Sequence, residues 1–142
     1  MDIQEDLINA LKQNGLRITP QRIAICKLLA HSDEHPTAES IYESLKDDYP
    51  SLSVATVYNT LDVLVAFGKV NVLGDAGDGK SHFDANGEPH VHLACVKCHS
   101  ITDIASNLIP SLSNEVLRSS GFKISGYRIM YYGICPACQE KT

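Results

Sequence analysis

Two Cys-x-x-Cys pairs constrain this chain more than any other feature. The first pair is Cys95 and Cys98, the second is Cys135 and Cys138, and 36 residues separate them. Each pair can present two thiolates to one tetrahedral centre, and four thiolates complete a structural zinc site with no position left for catalysis. The alternatives are two thioredoxin-like redox motifs or incidental cysteines, and neither explains two such pairs in one small region. The sequence therefore predicts Zn²⁺ bound by all four cysteines.

The remaining cysteine and the amino terminus bear on the compartment. Cys26 lies in the apolar stretch "IAICKLL" and is predicted to be a small buried side chain. Paired thiols of the Cys-x-x-Cys kind favour a metal site in a reducing cytosol over disulfides. The opening segment "MDIQEDLINALKQNG" has three acids and no long apolar run. We therefore predict no signal peptide, no membrane span and a cytoplasmic location.

Residues 1–85 have the pattern of a winged helix-turn-helix domain. Thr19, Thr37 and Ser53 are predicted N-caps of three successive helices that follow a first amphipathic helix. After Gly68, the short strands "KVNVL" and "SHFDA" flank a turn rich in glycine and aspartate. Short helices followed by such a hairpin are typical of this fold. The helix that begins at Ser53 is then the recognition helix, and the hairpin is the wing.

Residues 86–89, "NGEP", are predicted to form a hinge, and residues 90–142 a second domain. Its pattern indicates two strands, a helix that ends at Gly121 and a longer final strand over residues 122–135. So short a segment buries little core alone, so we expect zinc and pairing with a second copy to stabilise it. The predicted fold class is α+β: an N-terminal winged helix-turn-helix domain followed by a small α/β dimerisation domain with a structural zinc site.

The overall charge does not favour nucleic acid. The chain of 142 residues has a net charge of −5, and its first 80 residues hold 12 acidic and 7 basic side chains. Any DNA binding must therefore depend on the local placement of Arg17, Arg22 and Lys27 and not on a general basic field.

A second set of metal-binding side chains adjoins the first cysteine pair. His90 and His92 alternate along one predicted strand, so their side chains face the same way. Asp103 lies on the next predicted strand, and Asp84 lies at the end of the wing. This nitrogen and oxygen set suits iron, manganese or zinc. The alternative for each histidine is a solvated surface residue. An alternative function is a small metallo-hydrolase with a metal-activated water, which would leave the winged helix unexplained.

Seven motifs together resemble the ferric uptake regulator (Fur) family. They are "RITPQR", "HPTAESIY", "SVATVYNTL", "HFD", "HVHLACVKC", "TDI" and "GICPAC", in the order and spacing of that family over nearly the whole chain. The resemblance implies a dimeric, metal-dependent repressor that binds an inverted repeat in double-stranded DNA. It also implies a regulatory site of five ligands, which adds His35 to the four nitrogen and oxygen ligands above.

Three features resemble the peroxide-sensing (PerR-type) branch of the family. Asp103 stands where iron sensors commonly carry glutamate, Asp84 stands where glutamate is also frequent, and "EPHVH" lacks an additional leading histidine. The resemblance implies Fe²⁺ or Mn²⁺ as the regulatory ion. It also implies that bound Fe²⁺ reduces peroxide and that the oxidant attacks His35 or His90. This is sensing without turnover, so we predict that the chain is not an enzyme. The alternative is an iron-responsive or other divalent-metal repressor of the same family.

The resemblance also implies the DNA contacts. Tyr58 is the expected base-reading residue, with Asn59 and Thr56 beside it, and Arg17 and Arg22 as phosphate contacts. The alternative for Tyr58 is a core position, because it adjoins the apolar face of its helix.

Three residues depart from the family pattern. His82 stands where peroxide sensors often have arginine, and His99 stands where the family usually has glycine. Both are predicted to be solvated, with an added metal ligand as the alternative. Asp62 lies on the recognition helix, where relatives often carry a base. It weakens DNA binding if it faces phosphate and is silent if it pairs with a neighbour such as Lys69.

Overall fold

A computed structural model of the chain describes residues 2–32, 34–73, 77–85, 89–124 and 127–141. The contacts divide the chain into two compact units. The first unit contains four helices and a two-stranded sheet, and the second contains a three-stranded sheet and two helices. Among the described residues, no helix combines the length and the apolar content that a membrane crossing requires.

The four helices of the first unit are α1 (Ile3–Gln13), α2 (Pro20–His31), α3 (Ala38–Leu45) and α4 (Val54–Ala66). The predicted caps are confirmed. The Thr19 side chain accepts from the Arg22 N–H at 3.2 Å, and the Ser53 side chain accepts from the Thr56 N–H at 3.1 Å. Thr37 forms a reciprocal capping box with Ser40. Local polar side chains therefore define where these helices begin.

The core of the first unit is formed where the helices meet. Its completely buried aliphatic residues come from all four helices: Leu7, Leu11, Ile25, Ile41, Val57, Leu61 and Leu64. Each such side chain contributes about 1.5–3 kcal/mol on burial. Gly68 ends α4 with φ of 71°, a conformation that glycine adopts without steric cost. The chain then enters the hairpin.

The hairpin consists of β1 (Asn71–Leu73) and β2 (His82–Asp84), which pair antiparallel with Val72 opposite Phe83. Phe83 packs into the helical core, which attaches the hairpin to the helices. Helices α3 and α4 followed by this hairpin form the predicted winged helix-turn-helix.

The second unit contains β3 (His90–Cys95), β4 (Ile101–Ala105), α5 (Ile109–Ser120), β5 (Met130–Gly133) and α6 (Pro136–Gln139). The strand order is β4-β3-β5, with β3 antiparallel to β4 and parallel to β5. Gly121 ends α5 with φ of 69°, as predicted for the residue after a helix. The α+β fold class is confirmed.

The prediction of one long strand over residues 122–135 is wrong. Among the described residues of this range, only Met130–Gly133 form a strand, and they pair with the part of β3 from His92 to Cys95. The strand stops where β3 turns into the first cysteine pair, and Pro136, which lacks an N–H, then begins α6. The sequence analysis did not identify α6. Residues 125 and 126 of the predicted strand lie outside the described residues.

Candidate metal centres and DNA-reading helix

The four paired cysteines meet at one point of the second unit. Cys95 ends β3, Cys98 lies in the turn that follows, Cys135 precedes α6 and Cys138 lies within it. Their four Sγ atoms lie within 4.8 Å of one another, and Cys98 Sγ is 3.8 Å from Cys135 Sγ. Four sulfurs bound to zinc at about 2.3 Å are about 3.8 Å apart in a tetrahedron. The donor set and its spacing therefore fit a structural zinc ion, and the four thiols are not joined as disulfides.

Backbone hydrogen bonds stabilise the thiolate form of one of these cysteines. The N–H groups of Cys135 and Cys98 donate to Cys95 Sγ at 3.4 and 3.5 Å and lower the pKa of Cys95 to about 5. The Ser100 hydroxyl, 3.2 Å from Cys98 Sγ, lowers the pKa of Cys98. The contact with the Cys135 side chain raises the pKa of Cys138 to about 12. Four thiolates so close together require a cation, and a divalent ion meets that requirement.

Cys26 lies apart from this cluster. It is completely buried in the helical core of the first unit, and burial raises the pKa of its thiol to about 12. It is therefore an inert apolar side chain at neutral pH.

Strand pairing in the second unit assembles the histidine and aspartate donors. His90 and His92 lie on the same face of β3, with ring centroids 4.5 Å apart. Asp103 of β4 is opposite His92 in the antiparallel register. Its Oδ1 is 2.7 Å from His92 Nδ1, and its Oδ2 is 3.8 Å from His90 Nε2. Both histidines are buried and Asp103 is half-buried. Three candidate ligand side chains of mixed hardness thus converge within one sheet.

The first unit holds the remaining two predicted ligands near each other in its fold. His35 lies between α2 and α3 with φ of 55°, and Asp84 ends β2; both are buried. The Phe83 N–H donates to the Pro36 carbonyl at 2.9 Å, which places the segment after His35 alongside β2. A left-handed backbone conformation is uncommon for a residue other than glycine and often marks a functional position.

The prediction that His82 is solvated is wrong. His82 is 8% exposed, and its Nδ1 lies 2.7 Å from the main-chain oxygen of His35. The interaction joins residues 47 positions apart, so no local signal in the sequence could reveal it. Both residues border a cavity of about 500 Å³ in the first unit, which His31 and Glu34 also line.

His99 was also predicted to be solvated, and its side chain is less exposed than that. It is partly buried, and its φ of 64° lies in the left-handed region. A Cβ built on Gly77 would lie 3.1 Å from the His99 ring, so the ring packs closely against that glycine. Glycine adopts such a backbone conformation without steric cost, whereas histidine does not.

Tyr58 is not a core residue. Its side chain is 40% exposed on α4, so the core alternative is wrong. The Tyr58 hydroxyl donates to Glu39 Oε1 of α3 at 2.5 Å. This hydrogen bond lowers the pKa of Glu39 and raises the pKa of Tyr58. The sequence analysis did not identify Glu39 as a partner, because the two residues lie on different helices.

The other predicted DNA contacts differ in their surroundings. Asn59 and Arg17 are exposed. Thr56 contacts the Ser53 hydroxyl at 3.0 Å as part of the N-terminal cap of α4. Arg22 is half-buried, and its Nη1 donates to the Arg17 carbonyl at 2.5 Å, which fixes the segment before α2.

Asp62 is exposed on α4. Lys69, its predicted neighbour, forms an ion pair with Asp6 of α1, with 3.1 Å between Nζ and Oδ2. Lys69, the partner that the sequence suggested for Asp62, is therefore paired with Asp6 instead.

Comparison with known proteins identifies the family of the chain. Residues 13–132 match the model of the ferric uptake regulator family. The chain is 41% identical over 137 residues to the peroxide-responsive repressor PerR of Staphylococcus saprophyticus, a match that covers 96% of this chain and 92% of the relative.

Solved structures show the same fold. The ferric uptake regulator Fur of Helicobacter pylori, whose structure reveals three functional metal-binding sites, superposes with a TM-score of 0.77 at 28% identity, over 96% of this chain and 91% of that one. The peroxide stress regulator of Campylobacter jejuni superposes with a TM-score of 0.75 at 30% identity, over 93% and 98% of the two chains. The chain therefore belongs to the ferric uptake regulator family, and its similar relatives include peroxide-responsive PerR repressors.

Proposed function

We propose that the chain is a metal-dependent, DNA-binding transcriptional repressor that releases DNA in response to peroxide. The observation that carries this proposal is the pairing of Asp103 with His92. The same chain also contains a four-cysteine cluster and a winged helix. Relatives that are called peroxide-responsive repressors and that cover nearly the whole chain support it.

The cysteine cluster is proposed to bind Zn²⁺ for structural stability. All four ligand positions of a tetrahedral ion are filled by thiolates, so no site remains for a substrate. Such an ion contributes on the order of 10 kcal/mol to folding. The sheet of the second unit depends on it, since Cys95 and Cys135 flank the paired strands β3 and β5.

The second unit is proposed to be the dimerisation domain. Its apolar side chains remain exposed at the N-cap of α5, on α5 and β5, and in the segment between α5 and β5: Leu108, Leu112, Val116, Phe122, Tyr131 and Tyr132. Leu108 and Phe122 are 77% and 70% exposed. A second copy covers such a surface with a self-complementary interface. The dimer then presents two winged helices to the two half-sites of an inverted repeat.

The regulatory ion is proposed to bind His35, Asp84, His90, His92 and Asp103, with Fe²⁺ and Mn²⁺ as the candidates. The first two ligands belong to the winged-helix unit and the other three to the second unit. An ion that binds both sets restricts the separation of the two recognition helices in a dimer. A coupling of about 1–3 kcal/mol between ion and DNA is enough for regulation.

Peroxide is proposed to act through the ligand histidines. When bound, a ferrous ion would supply one electron to cleave the O–O bond of hydrogen peroxide and would regain one as the imidazole is oxidised, so that the ring supplies both electrons overall. One oxygen atom of the peroxide becomes bonded to the imidazole ring of His35 or His90, and the other leaves as water. Each histidine is oxidised once and is not regenerated, so the reaction is a signal without turnover. An oxidised ring is a poorer ligand, and the protein then loses the conformation that binds DNA.

The DNA contacts are proposed to include Tyr58, Asn59 and Thr56 on α4, with Arg17 and Arg22 at phosphate. The exposure of Tyr58 and Asn59 in the first half of α4 supports a role in the major groove. Because the first 80 residues are acidic overall, placement of these few side chains must outweigh repulsion by the rest of the unit.

The test uses zinc-replete protein loaded with Fe²⁺ under anaerobic conditions and treated with an equimolar amount of hydrogen peroxide. We expect a gain of one oxygen atom on the peptide that contains His35 or His90, and no gain with Mn²⁺. In parallel, the Mn²⁺-loaded protein should retain duplexes selected from a random library, and chelation should release them.

Two outcomes would change the proposal. Unmodified histidines together with metal-dependent DNA binding would indicate an iron-responsive or other metal-responsive repressor. The absence of metal-dependent binding to any selected duplex would contradict the repressor proposal itself.

A further inference from the structure

The main-chain carbonyl of His35 has a buried hydrogen-bond partner that the sequence analysis did not anticipate. His82 Nδ1 lies 2.7 Å from this oxygen, and both residues are buried, at 8% and 4% exposure. A carbonyl oxygen can only accept a hydrogen bond, so the proton resides on Nδ1 of His82. The interaction therefore fixes one tautomer of the imidazole as well as the position of the carbonyl.

A second hydrogen bond holds the next residue. The Phe83 N–H donates to the Pro36 carbonyl at 2.9 Å, so two consecutive carbonyls are held by two consecutive residues of β2. His35 needs this support because its φ of 55° lies in the left-handed region. A residue with a Cβ keeps that conformation only where surrounding contacts enforce it.

Strand β2 also carries the predicted ligand Asp84. Residues 82 and 84 alternate with Phe83, which packs into the helical core, so the His82 and Asp84 side chains lie on the other face of the strand. One short strand thus bears a proposed metal ligand and the donor that holds the backbone of a second ligand. The position of His35 relative to Asp84 then depends on His82.

We propose that His82 is a positioning residue for His35 and sets the geometry with which His35 meets the regulatory ion. This inference rests on the proposed function, in which His35 is a ligand. His82 acts through the backbone of His35 and not as a ligand itself. Loss of the Nδ1 donor frees the left-handed segment to relax and weakens the ion's contact with His35 while leaving the donors of the second unit intact.

The test compares His82→Phe with His82→Asn in the full-length, zinc-replete protein. Phenylalanine keeps a planar ring and removes the donor, whereas the asparagine Nδ2 can donate from near the position of the histidine Nδ1. His31→Phe is the matched control, because His31 lines the same cavity and is exposed. Zinc content and thermal unfolding establish that each variant is folded.

The first readout is Mn²⁺ affinity by equilibrium dialysis. We expect His82→Phe to lower it about 10–100-fold, the range typical for loss of an outer-shell partner. His82→Asn should restore it to within a few-fold of the unmodified protein, and His31→Phe should leave it unchanged. The second readout is the site of oxidation after Fe²⁺ and peroxide. The share of oxygen on His35 should fall in His82→Phe, and the share on His90 should rise.

The third readout needs no regulatory ion and remains valid if His82→Phe does not fold. Nitrogen NMR of the imidazoles in the zinc-replete protein without Mn²⁺ or Fe²⁺ should show His82 with its proton on Nδ1. A proton on Nε2 alone would overturn the proposal, as would equal Mn²⁺ affinity in His82→Phe and the unmodified protein, or an equal loss in the phenylalanine and asparagine variants. Failure of the proposed function gives a different result, because His35→Ala would then leave Mn²⁺ affinity unchanged.

Discussion

Asp103 lies directly opposite His92 across the paired strands β3 and β4, and its Oδ1 is 2.7 Å from His92 Nδ1. The antiparallel register alone brings the two side chains together, because residues opposite each other have their Cβ atoms about 4.5–5.5 Å apart. Two ligands at about 2.1 Å from a metal ion and at right angles to each other are about 3 Å apart. The spacing of these two atoms is close to what a shared ion requires.

The first prediction concerns this pair. Asp103→Asn keeps the size of the side chain and removes its charge, so we expect Mn²⁺ affinity to fall about 10–100-fold. The cysteine cluster does not involve Asp103, so zinc content should not change. Equilibrium dialysis of the zinc-replete protein measures the first quantity, and elemental analysis measures the second.

Thr102→Ala is the matched control for Asp103→Asn. Thr102 is the preceding residue of β4, is exposed and projects from the other face of the strand. Its replacement should leave Mn²⁺ affinity unchanged. If Asp103→Asn binds Mn²⁺ as tightly as the control, Asp103 is not a ligand and the assignment to the peroxide-sensing branch loses one of its supports.

The second prediction concerns the cysteine cluster. Cys95→Ser or Cys138→Ser should abolish zinc binding and unfold the second unit, because the ion contributes on the order of 10 kcal/mol to so small a domain. The helices of the first unit have a separate core and should remain folded. Elemental analysis, circular dichroism and sedimentation together measure zinc, helix content and dimer formation.

Cys26→Ala provides the control for these cysteine variants. The Cys26 thiol is buried in the first unit with its pKa raised to about 12, so it has no thiolate to offer a metal at neutral pH. The alanine variant should therefore keep its zinc and its dimer. A folded, zinc-free dimer of Cys95→Ser would refute the structural role of the ion.

The helices and their ends could be predicted from the sequence, because local chemistry decides them. Thr19, Thr37 and Ser53 cap helices through side chains that reach only three residues ahead. The four-cysteine cluster was predictable for a related reason: two short motifs leave few other uses for their thiols. The alternation of His90 and His92 along one strand was also a local signal.

Contacts between distant elements could not be predicted from the sequence. The burial of His82 depends on a hydrogen bond to the carbonyl of His35, and a carbonyl leaves no trace in a sequence. The pairing of Tyr58 with Glu39 depends on how α3 and α4 pack. The length of β5 was overestimated because a strand extends only as far as its pairing with a neighbour, here with residues from His92 to Cys95, and its own composition does not show that limit.

The third prediction concerns Tyr58 and Glu39. The hydrogen bond raises the pKa of Tyr58, so Glu39→Gln should lower the pKa of Tyr58 toward its ordinary value of 10.0. The same hydrogen bond lowers the pKa of Glu39 below 4.5, so the contact should persist from mildly acidic pH up to the ionisation of Tyr58. It is lost as the pH falls through the depressed pKa of Glu39 or rises through the raised pKa of Tyr58. Ultraviolet absorbance titration, with Tyr58→Phe subtracted, measures the tyrosine.

The same pair should affect DNA selectivity. Glu39→Gln removes a negative charge beside the proposed base-reading residue, so binding to random DNA should rise, while a less fixed Tyr58 lowers the preference for a selected duplex. We expect the ratio of the two affinities to fall about 3–10-fold, the equivalent of one hydrogen bond. Glu43→Gln, on the same helix but paired with Lys46 at 2.7 Å, should leave the ratio unchanged. Equal ratios in the two variants would show that Glu39 does not position Tyr58.

The last prediction concerns the backbone at His99, which follows the first cysteine pair. Its φ of 64° is unfavourable for a residue with a Cβ, and the strain costs about 1–2 kcal/mol. Glycine removes this strain, but the greater freedom of glycine in the unfolded chain costs about 0.5–1 kcal/mol. His99→Gly should therefore stabilise the zinc-bound second unit by up to about 1 kcal/mol and slow the release of zinc to a chelator. His99→Ala removes the same ring but keeps a Cβ, so it should not slow release. If both variants release zinc faster than the unmodified protein, packing of the His99 ring against Gly77 outweighs the backbone strain.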